Sequence, residues 1–327
     1  MKHLGFGKKL VIGSLGIIFI TIIVIAAINF IQSKKAYLSK GRAGIENVAH
    51  VLLKSLELKY NLQTQKLDSE LGLLMAEVEK ERNVMVLEDR FTDIPVILKG
   101  SDKKEHTQVP KLMFGLKFVT GAYETVDNVG SFTDSEIMVY QLFGNQLIKV
   151  STSRKSHDGE RPIGEAYQAD SAVFKNVTAN LKSHVLTRIN GDTIMQVFAP
   201  FKENQEDQII GAYSIASRVV TPDLKGLVNS VTVSGKGHSF ICEPGGEILV
   251  HPDTGFINKK VQSFKNGEAI LKTKKGQVAY QYQGKEYYAY VHYFEPWDLY
   301  FVTAVSKADL MAGINSQILS SAAISGA

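Results

Sequence analysis

Near the start of the chain, residues 10–31 form a mostly apolar run that contains no charged side chain. A helix needs about 20 mostly apolar residues, at about 1.5 Å rise each, to cross a bilayer. A cleaved signal peptide has a shorter apolar stretch of about 7–15 residues before a small-residue cleavage site, and Ala26-Ala27 is the one weak candidate for such a site. The run predicts an uncleaved transmembrane helix. A signal peptide and a buried helix of a soluble protein are the alternatives.

A second long apolar pattern covers residues 34–82, a stretch without proline. Its apolar residues recur at steps of three and four, which places them on one face of a helix. They are Ile45, Val48, Leu52, Leu56, Tyr60, Leu67, Leu71, Leu74 and Val78. The pattern predicts one long helix whose apolar face packs on its own domain's sheet or on a helix of a second copy, and the sequence leaves both open.

From residue 109 onward the pattern changes to short alternating runs separated by turn signals, which is typical of antiparallel strands. Gly144-Asn145 and Asn190-Gly191 are two-residue hairpin signals. The predicted strands are 136–143, 146–152, 183–189, 193–201 and 208–217, with a helix over 170–181 that comes after a polar loop.

The same order occurs a second time. The predicted strands are 237–242, 247–251, 277–283, 286–294 and 299–306, with a loop and short helix over 252–273. Between the two units, Thr221 can cap a connecting helix that has Pro222 in its first turn. Two β-β-α-β-β-β units in series predict an α+β fold in which a transmembrane helix and a long helix precede two tandem PAS-like antiparallel-sheet modules.

These patterns divide the chain into six segments. They are a cytoplasmic stub (1–9), the transmembrane helix (10–31), the long stalk helix (34–82), a first module (83–218), a second module (219–306) and an exit helix (307–327). The exit helix becomes steadily less polar and lacks a C-cap. We therefore expect it to lead to a second membrane span of a longer natural product. A self-contained chain with a frayed terminal helix is the alternative.

Charge and cysteine content narrow the compartment and the partners. The chain has 37 basic and 33 acidic residues, but no acid precedes Glu46 and seven basic residues do. The basic excess therefore lies at the membrane flanks, and a nucleic-acid-binding surface is not supported. The flanks are nearly balanced in positive charge, so a cytoplasmic N-terminus is inferred mainly from the exported character of the region after residue 31. A single cysteine, Cys242, forms no internal disulfide, which suits a bacterial periplasm.

Signatures of catalysis and metal binding are missing from the sequence. The eight histidines form no HxxxH or HExxH pair, no cysteine pair completes a zinc site, and there is no GxSxG elbow. We expect no enzyme activity, no metal and no cofactor. Seven tyrosines on the closing strands of the second module are interpreted as cross-strand packing, with a second ligand pocket as the alternative.

The order of elements, together with several short motifs, resembles a known family. The motifs include Val150-Ser151-Thr152 with Asp158-Gly159-Glu160-Arg161 and Gly164 after it, the hairpin 245–253, and the closing turn 293–297. The chain resembles the double Cache sensor regions of bacterial methyl-accepting chemotaxis proteins, of the Cache 3/Cache 2 fusion type. The resemblance implies that the first module is membrane-distal and the second membrane-proximal, with the ligand in the first.

The resemblance places the ligand between the sheet of the first module and the loop 152–170. Arg154, Lys155, His157, Arg161 and Tyr167 lie in that loop. A small organic anion needs a guanidinium, hydroxyls or amides that orient it, and an apolar wall. The predicted site residues are Tyr140, Lys149, Ser151, Arg154, Arg161, Tyr167, Gln196 and Tyr213. The loop has Arg-Pro without the Trp-Tyr of amino-acid-binding members, so the resemblance does not by itself imply an amino acid.

The leading hypothesis is the ligand-sensing region of a transmembrane chemoreceptor that spans the bacterial inner (cell) membrane once in this chain, with its main domain periplasmic or extracellular. It would act as a homodimer and signal by helix displacement, and it would reach cytoplasmic signalling partners only through a domain outside this chain. The alternatives are the sensor region of a histidine kinase or diguanylate cyclase, and a membrane-anchored interaction protein without a small ligand. An enzyme is the third class.

Overall fold

The structure is a computed structural model that describes residues 6–98, 103–156, 158–189, 191–204, 207–233 and 235–312. Its first element, α1 (Phe6–Glu79), is one continuous helix of 74 residues. The predicted segments 10–31 and 34–82 are therefore parts of one element. The helix ends near the predicted position, and Arg82 comes after it with a left-handed φ of +59°, a conformation that stops a helix.

The N-terminal part of α1 has the length and apolarity of a membrane span. From Ser14 onward it contains an 18-residue window with a mean hydropathy of 2.7, none of which is buried. Among the described residues it is the one candidate for a membrane-crossing helix.

The chain divides into two compact units. One comprises residues 57–221, and the other combines residues 1–56 with 222–327. Each unit contains one sheet, and α1 contributes its C-terminal part to the first and its N-terminal part to the second.

The unit of residues 57–221 is built on a nine-stranded sheet with the order β3-β2-β1-β6-β5-β4-β9-β8-β7. Its elements are β1 (Val84–Leu98), β2 (Lys104–Phe114), β3 (Lys117–Phe118), α2 (Glu124–Gly130), β4 (Glu136–Phe143), β5 (Gln146–Thr152), β6 (Glu165–Gln168), α3 (Ala172–Thr178), β7 (Ser183–Ile189), β8 (Asp192–Lys202) and β9 (Ile209–Arg218). All strand pairs are antiparallel except β1 with β6. The predicted strands are confirmed within one residue at each end.

Three features of this unit escape the sequence pattern. The first is the long β1–β2 hairpin, which lies mostly before residue 109 and contains Pro95 and Pro110, residues that argue against a strand. The second is α2, and the third is β6, a four-residue strand inside the predicted polar loop. The helix predicted over 170–181 is shorter at both ends. Ser171 caps its N-terminus by accepting a hydrogen bond from Phe174 N at 3.2 Å, and Asn180, with a left-handed φ of +58°, follows its C-terminus.

The two faces of the nine-stranded sheet are covered by different helices. Gln63 of α1 donates to Ser217 Oγ at 2.9 Å, which places α1 on the face of the odd-numbered residues of β9. On the opposite face, Val173 and Val177 of α3 pack with Tyr140, Phe198 and other core residues. We call these the α1 face and the α3 face.

The second unit is built on a five-stranded antiparallel sheet with the order β11-β10-β14-β13-β12. Its elements are α4 (Pro222–Ser230), β10 (His238–Cys242), β11 (Ile248–Val250), α5 (Glu268–Lys272), β12 (Lys275–Tyr282), β13 (Lys285–Phe294), β14 (Leu299–Ser306) and the 3₁₀ turns Thr254–Phe256, Val261–Ser263 and Glu295–Trp297. The α+β class with two PAS-like antiparallel-sheet modules after a long helix is thus confirmed. Residues 307–312 begin the predicted exit helix, and its remainder, 313–327, lies outside the described residues.

In this unit α1 also covers one face of the sheet. Ile45 and Ala49 pack with Tyr288, Tyr290 and Val305 in one core cluster. On the other face, Phe240, Phe264, Tyr280 and neighbouring residues form a second cluster. Each unit therefore has one sheet face against α1 and one face turned away from it.

Candidate ligand site

A bulge in β5 decides which predicted site residues share a face of the nine-stranded sheet. Ser151 is opposite Val139, while Lys149 is opposite Tyr140, so Val150 is an extra residue in the ladder. Without the bulge, Lys149 and Ser151 would point to the same side. With it, Lys149 lies on the α3 face and Ser151 on the α1 face.

Three of the predicted residues form a hydrogen-bonded network inside the core of the α3 face. The Gln196 amide Nε2 donates to Ser214 Oγ at 2.8 Å and to the Tyr140 hydroxyl at 3.3 Å. The Tyr167 hydroxyl donates to Gln196 Oε1 at 3.5 Å. Phe198 packs against both tyrosine rings, with centroid distances of 5.3 and 5.6 Å. We call Gln196, Tyr140, Tyr167 and Ser214 the amide–tyrosine network.

Charged pairs border this network. Lys149 Nζ contacts Glu165 Oε2 at 3.0 Å, and the lysine side chain is only 4% exposed. Arg154 lies 3.6 Å from Glu136, whose other carboxylate oxygen accepts a hydrogen bond from Thr152 Oγ1 at 2.9 Å. Charges of both signs therefore lie beside neutral hydrogen-bonding groups and aromatic rings.

The tyrosine hydroxyls of the network stay protonated over the physiological pH range. Burial raises the pKa of Tyr140 and Tyr167 far above the usual value, and the nearby Glu165 carboxylate raises both pKa values further. Each hydroxyl can therefore donate one hydrogen bond and accept another.

Arg161 is placed in a different environment, where its guanidinium is already engaged. Its two terminal nitrogens contact the Asp127 carboxylate at 2.8 and 2.7 Å, and one also donates to Thr152 O at 2.8 Å. The Tyr123 ring lies 4.8 Å from the guanidinium. The side chain therefore ties the loop to α2, and the structure does not bring it into the amide–tyrosine network.

Glycine at 164 holds this loop against the sheet. Gly164 has a φ of +90°, and a Cβ there would lie 2.0 Å from the Pro95 carbonyl oxygen. Its N–H donates to Lys149 O at 2.7 Å and its C=O accepts from Ile97 N at 2.9 Å. Only glycine fits this position, because the backbones approach so closely.

The other predicted residues lie apart from the network. Ser151 Oγ donates to Ala122 O at 2.5 Å. Tyr213 packs on the α1 face against Phe201 and Phe114, with centroid distances of 4.5 and 5.9 Å. His157 lies outside the described residues. The eight-residue site thus stays a prediction, and the structure gathers Tyr140, Lys149, Tyr167 and Gln196, with Arg154 at the border.

Sequence reasoning missed Glu136, Glu165 and Ser214. Ser214 could have been found, because it alternates with Ala212 and Ala216 on a strand that was predicted correctly. Glu165 carried no usable signal, since β6 is too short for its period to be read.

Metal and thiol chemistry receive no support from this geometry. Among the described residues, no three His, Cys, Asp or Glu side chains are grouped to hold a metal ion. Cys242 is buried, and burial raises the pKa of its thiol, which makes it a weak nucleophile.

Comparison with known proteins identifies the family. The sequence matches the Cache 3/Cache 2 fusion domain over residues 33–319. No match is found among curated proteins.

Several solved structures are similar in outline. The ligand-binding domain of Mlp24 with asparagine is 17% identical, with 84% of this chain and 99% of that chain covered and a TM-score of 0.48. The periplasmic domain of RsbU from Chlamydia trachomatis is 13% identical, with 87% and 98% covered and a TM-score of 0.49. The sensory domain of the Campylobacter jejuni chemoreceptor Tlp3 is 11% identical, with 85% and 98% covered and a TM-score of 0.47. Likenesses at this level carry no argument about the ligand of this chain. The family match spans most of the chain, which therefore belongs to the Cache 3/Cache 2 fusion family of extracytoplasmic sensor domains.

Proposed function

We propose that this chain is the ligand-sensing region of a transmembrane chemoreceptor and that its ligand binds on the α3 face of the nine-stranded sheet. The observation that carries the proposal is the amide–tyrosine network, a group of hydrogen-bonding side chains inside a largely apolar core. A buried amide or hydroxyl is costly unless it is hydrogen-bonded. A ligand that uses these groups gives a reason for their presence.

The ligand we propose is a small polar molecule that carries both a positive and a negative group. Lys149 and Arg154 offer cationic contacts, and Glu165 and Glu136 offer anionic ones. A simple organic anion would be repelled by the two carboxylates unless they were protonated. Arg161, which the sequence suggested for the anion contact, contacts Asp127 and Thr152 O apart from the network, so in this proposal it does not touch the ligand.

Signal transmission in this proposal rests on the arrangement of the sheet between two helices. The ligand binds on the α3 face, and α1 lies on the opposite face of the same sheet. A change in sheet curvature on binding would move α1 by about 1–2 Å, as in other helix-shift mechanisms. Such a shift requires that the ligand bind one helix arrangement more tightly than the other. Since α1 is continuous to its N-terminal apolar part, no break in the helix separates the site of this movement from the membrane.

A homodimer is proposed because α1 has an exposed apolar stripe. Val51, Leu58, Leu62 and Leu73 are 53–67% exposed. At about 100° per residue they fall within about 60° of one another around the helix axis. A second copy of α1 that packed along this stripe would bury it and would couple the two chains.

The remaining parts of the proposal concern location and partners. The N-terminus lies in the cytoplasm, residues 10–31 cross the inner membrane of a bacterium, and both sheets lie in the periplasm, the nine-stranded one distal to the membrane. Cytoplasmic signalling partners would be reached only through a domain outside this chain. The nearly neutral composition from residue 46 onward supports a folded exported region.

The test of the ligand site is a thermal-unfolding screen of the chain in detergent micelles with amino acids, amines, organic acids and purines. A ligand at a hundredfold excess over its Kd should stabilise the chain by about 2.7 kcal/mol, a shift of several degrees in Tm. For the best compound, Tyr140→Phe and Gln196→Met should each weaken the Kd about fivefold to tenfold by calorimetry.

Tyr213→Phe is the matched control, because it deletes the same atom from a buried tyrosine of the same sheet on the α1 face. Its Kd should equal that of the wild type. If it weakens binding as much as Tyr140→Phe does, the site is not on the α3 face. If no compound raises the Tm, the chain is better explained as a membrane-anchored interaction module.

A further inference from the structure

A groove runs between α1 and the edge of the five-stranded sheet, apart from the proposed ligand site. It consists of two cavities of about 220 and 470 Å³ that share Arg42 and Gln277 in their walls. On the α1 side the groove contains Lys35, Leu38 and Ser39, and on the sheet side the Tyr288 ring. The larger of the two cavities has room for a small headgroup.

The groove begins just after the proposed membrane span. Lys35 and Arg42 lie beyond residue 31 by about 6 and 16 Å of helix rise. Helical side chains lean toward the N-terminus of their helix, which here is toward the bilayer. The headgroup layer is about 5–8 Å thick on each side of the hydrocarbon core. The Lys35 side chain therefore lies in this layer, and the Arg42 side chain, which leans back toward the bilayer, extends toward its outer edge.

The charges that face the groove are unequal. The Arg42 guanidinium lies 4.3 Å from the centroid of the Tyr288 ring, and within the described part of the chain it forms no ion pair. Glu46, at the far end from the bilayer, is engaged by His50 at 3.7 Å and by Gln277 Nε2 at 3.4 Å. Lys307, which contacts the Glu286 carboxylate at 2.6 Å, and Arg42 both lower the pKa of Glu286. Because Lys307 balances Glu286, Lys35 and Arg42 leave an excess of positive charge at the end of the groove nearest the membrane.

A second copy of the chain on the exposed apolar stripe would leave the groove open. Arg42 precedes Val51 by nine residues, which places it about 180° around α1 from the centre of that stripe. An occupant of the groove would therefore be a molecule other than the dimer partner.

We propose that this groove binds the phosphate headgroup of an anionic phospholipid. Lys35 and Arg42 contact the phosphate oxygens, the Ser39 hydroxyl adds a hydrogen bond, and Leu38 lies against the apolar part of the glycerol backbone. The assignment depends on the membrane placement of residues 10–31 in the proposed function. Binding would hold the part of α1 just after the membrane span against one class of lipid.

The test is a titration of fluorescent phosphatidylglycerol into the chain in dodecyl maltoside micelles. Loss of one basic contact near a membrane surface should weaken binding about fivefold, so Arg42→Gln should raise the Kd for phosphatidylglycerol by that factor. Labelled phosphatidylcholine should bind the wild type at least fivefold more weakly than phosphatidylglycerol does. Soluble glycerol phosphate should not compete at lipid-saturating concentrations.

Lys40→Gln is the matched control, because Lys40 lies two residues from Arg42 on the side of α1 that carries the apolar stripe. It removes the same charge at the same depth, and its Kd should stay within twofold of the wild type. If Lys40→Gln loses as much as Arg42→Gln, the attraction is diffuse and the groove is not a site. Equal binding of phosphatidylcholine, or competition by glycerol phosphate, also overturns the lipid assignment.

A carbonate wash of membranes separates this proposal from the one on which it depends. If the wild-type chain stays in the membrane fraction and phosphatidylglycerol shows no preference, only the groove assignment fails. If the chain is washed out, the membrane placement fails as well. The small-molecule screen tests the ligand site on the α3 face, and its result does not depend on either of these outcomes.

Discussion

The two sheets of this chain both place one face against α1, and they differ in what lies on the other face. On the nine-stranded sheet that face has a buried amide, two tyrosine hydroxyls and a bordering ion pair. On the five-stranded sheet it has aromatic rings stacked on one another, such as Tyr280 on Tyr287 at 5.2 Å and 8°. The same arrangement of sheet and helix thus has a network of hydrogen-bonding groups in one unit and mainly packed aromatic rings in the other. This difference supports a ligand in only one of them.

Breaking the Lys149–Glu165 ion pair beside the network should give the largest change in stability. Glu165→Leu leaves Lys149 buried without its carboxylate, and the free energy of unfolding should fall by about 3–5 kcal/mol. Amide hydrogen exchange in β5 and β6 measures the loss locally. The double variant Lys149→Met with Glu165→Leu should recover most of it, since no buried charge remains. Equal loss in both variants would show that packing and not charge is responsible.

The face of the five-stranded sheet turned away from α1 should respond to acid. The His238 ring lies 4.7 Å from that of His251, which stacks on Phe256 at 4.2 Å. Burial lowers the pKa of His238 to about 4, and the neighbouring His251 contributes to the shift while Asp253 opposes it. Because the folded pKa lies below the unfolded value of about 6.5, stability is complete above pH 6.5 and falls as the pH approaches 4.

For this pH effect we expect a loss of about 2 kcal/mol at pH 5 relative to pH 7. Trp297, the single tryptophan, lies in the same unit and reports its unfolding by fluorescence. His238→Asn should flatten the acid side of the curve. His106→Asn, at an exposed histidine of the nine-stranded sheet, should leave it unchanged. A curve that keeps its slope in His238→Asn would assign the effect to His251 or to other groups.

The smallest effect is expected from Tyr280→Phe. The substitution keeps the ring that stacks on Tyr287 and Phe264 and removes only the hydroxyl. Because a single neutral hydrogen bond contributes only about 0.5–1.5 kcal/mol net, stability should change by at most about 1 kcal/mol, and the Kd of any ligand found for the α3 face should not change. A ligand whose affinity depends on this hydroxyl would show that both sheets bind small molecules and would remove the contrast between them.

Much of the fold is set by local pattern. The hairpin of β4 and β5 was predictable because two alternating runs flank Gly144-Asn145, and the same holds for β7 and β8 around Asn190-Gly191. The long helix was predictable because its buried residues repeat at three and four. The β1–β2 hairpin was not, since its prolines and exposed charged residues obscure the alternation.

The site was less predictable than the fold, because it depends on which residues share a face. The extra residue Val150 moves Ser151 away from Lys149, and no turn or composition signal marks such a bulge. Arg161 had the right chemistry for an anion, but its partner Asp127 is 34 residues earlier in the chain. A long-range pair of this kind is not visible to local periodicity. Tyr140 and Gln196 were found because polar residues stood out on otherwise apolar strands.

The undivided helix α1 supplies buried residues to both units from one helical repeat. Ile45 and Leu52 are buried in one unit and Leu67 and Leu74 in the other, all along a single 74-residue helix. One extra residue inserted between positions 57 and 66 would turn the downstream buried residues by about 100° and shift them by about 1.5 Å. Evolution of this protein is therefore expected to tolerate length changes in its loops but to keep the residue count of this stretch constant.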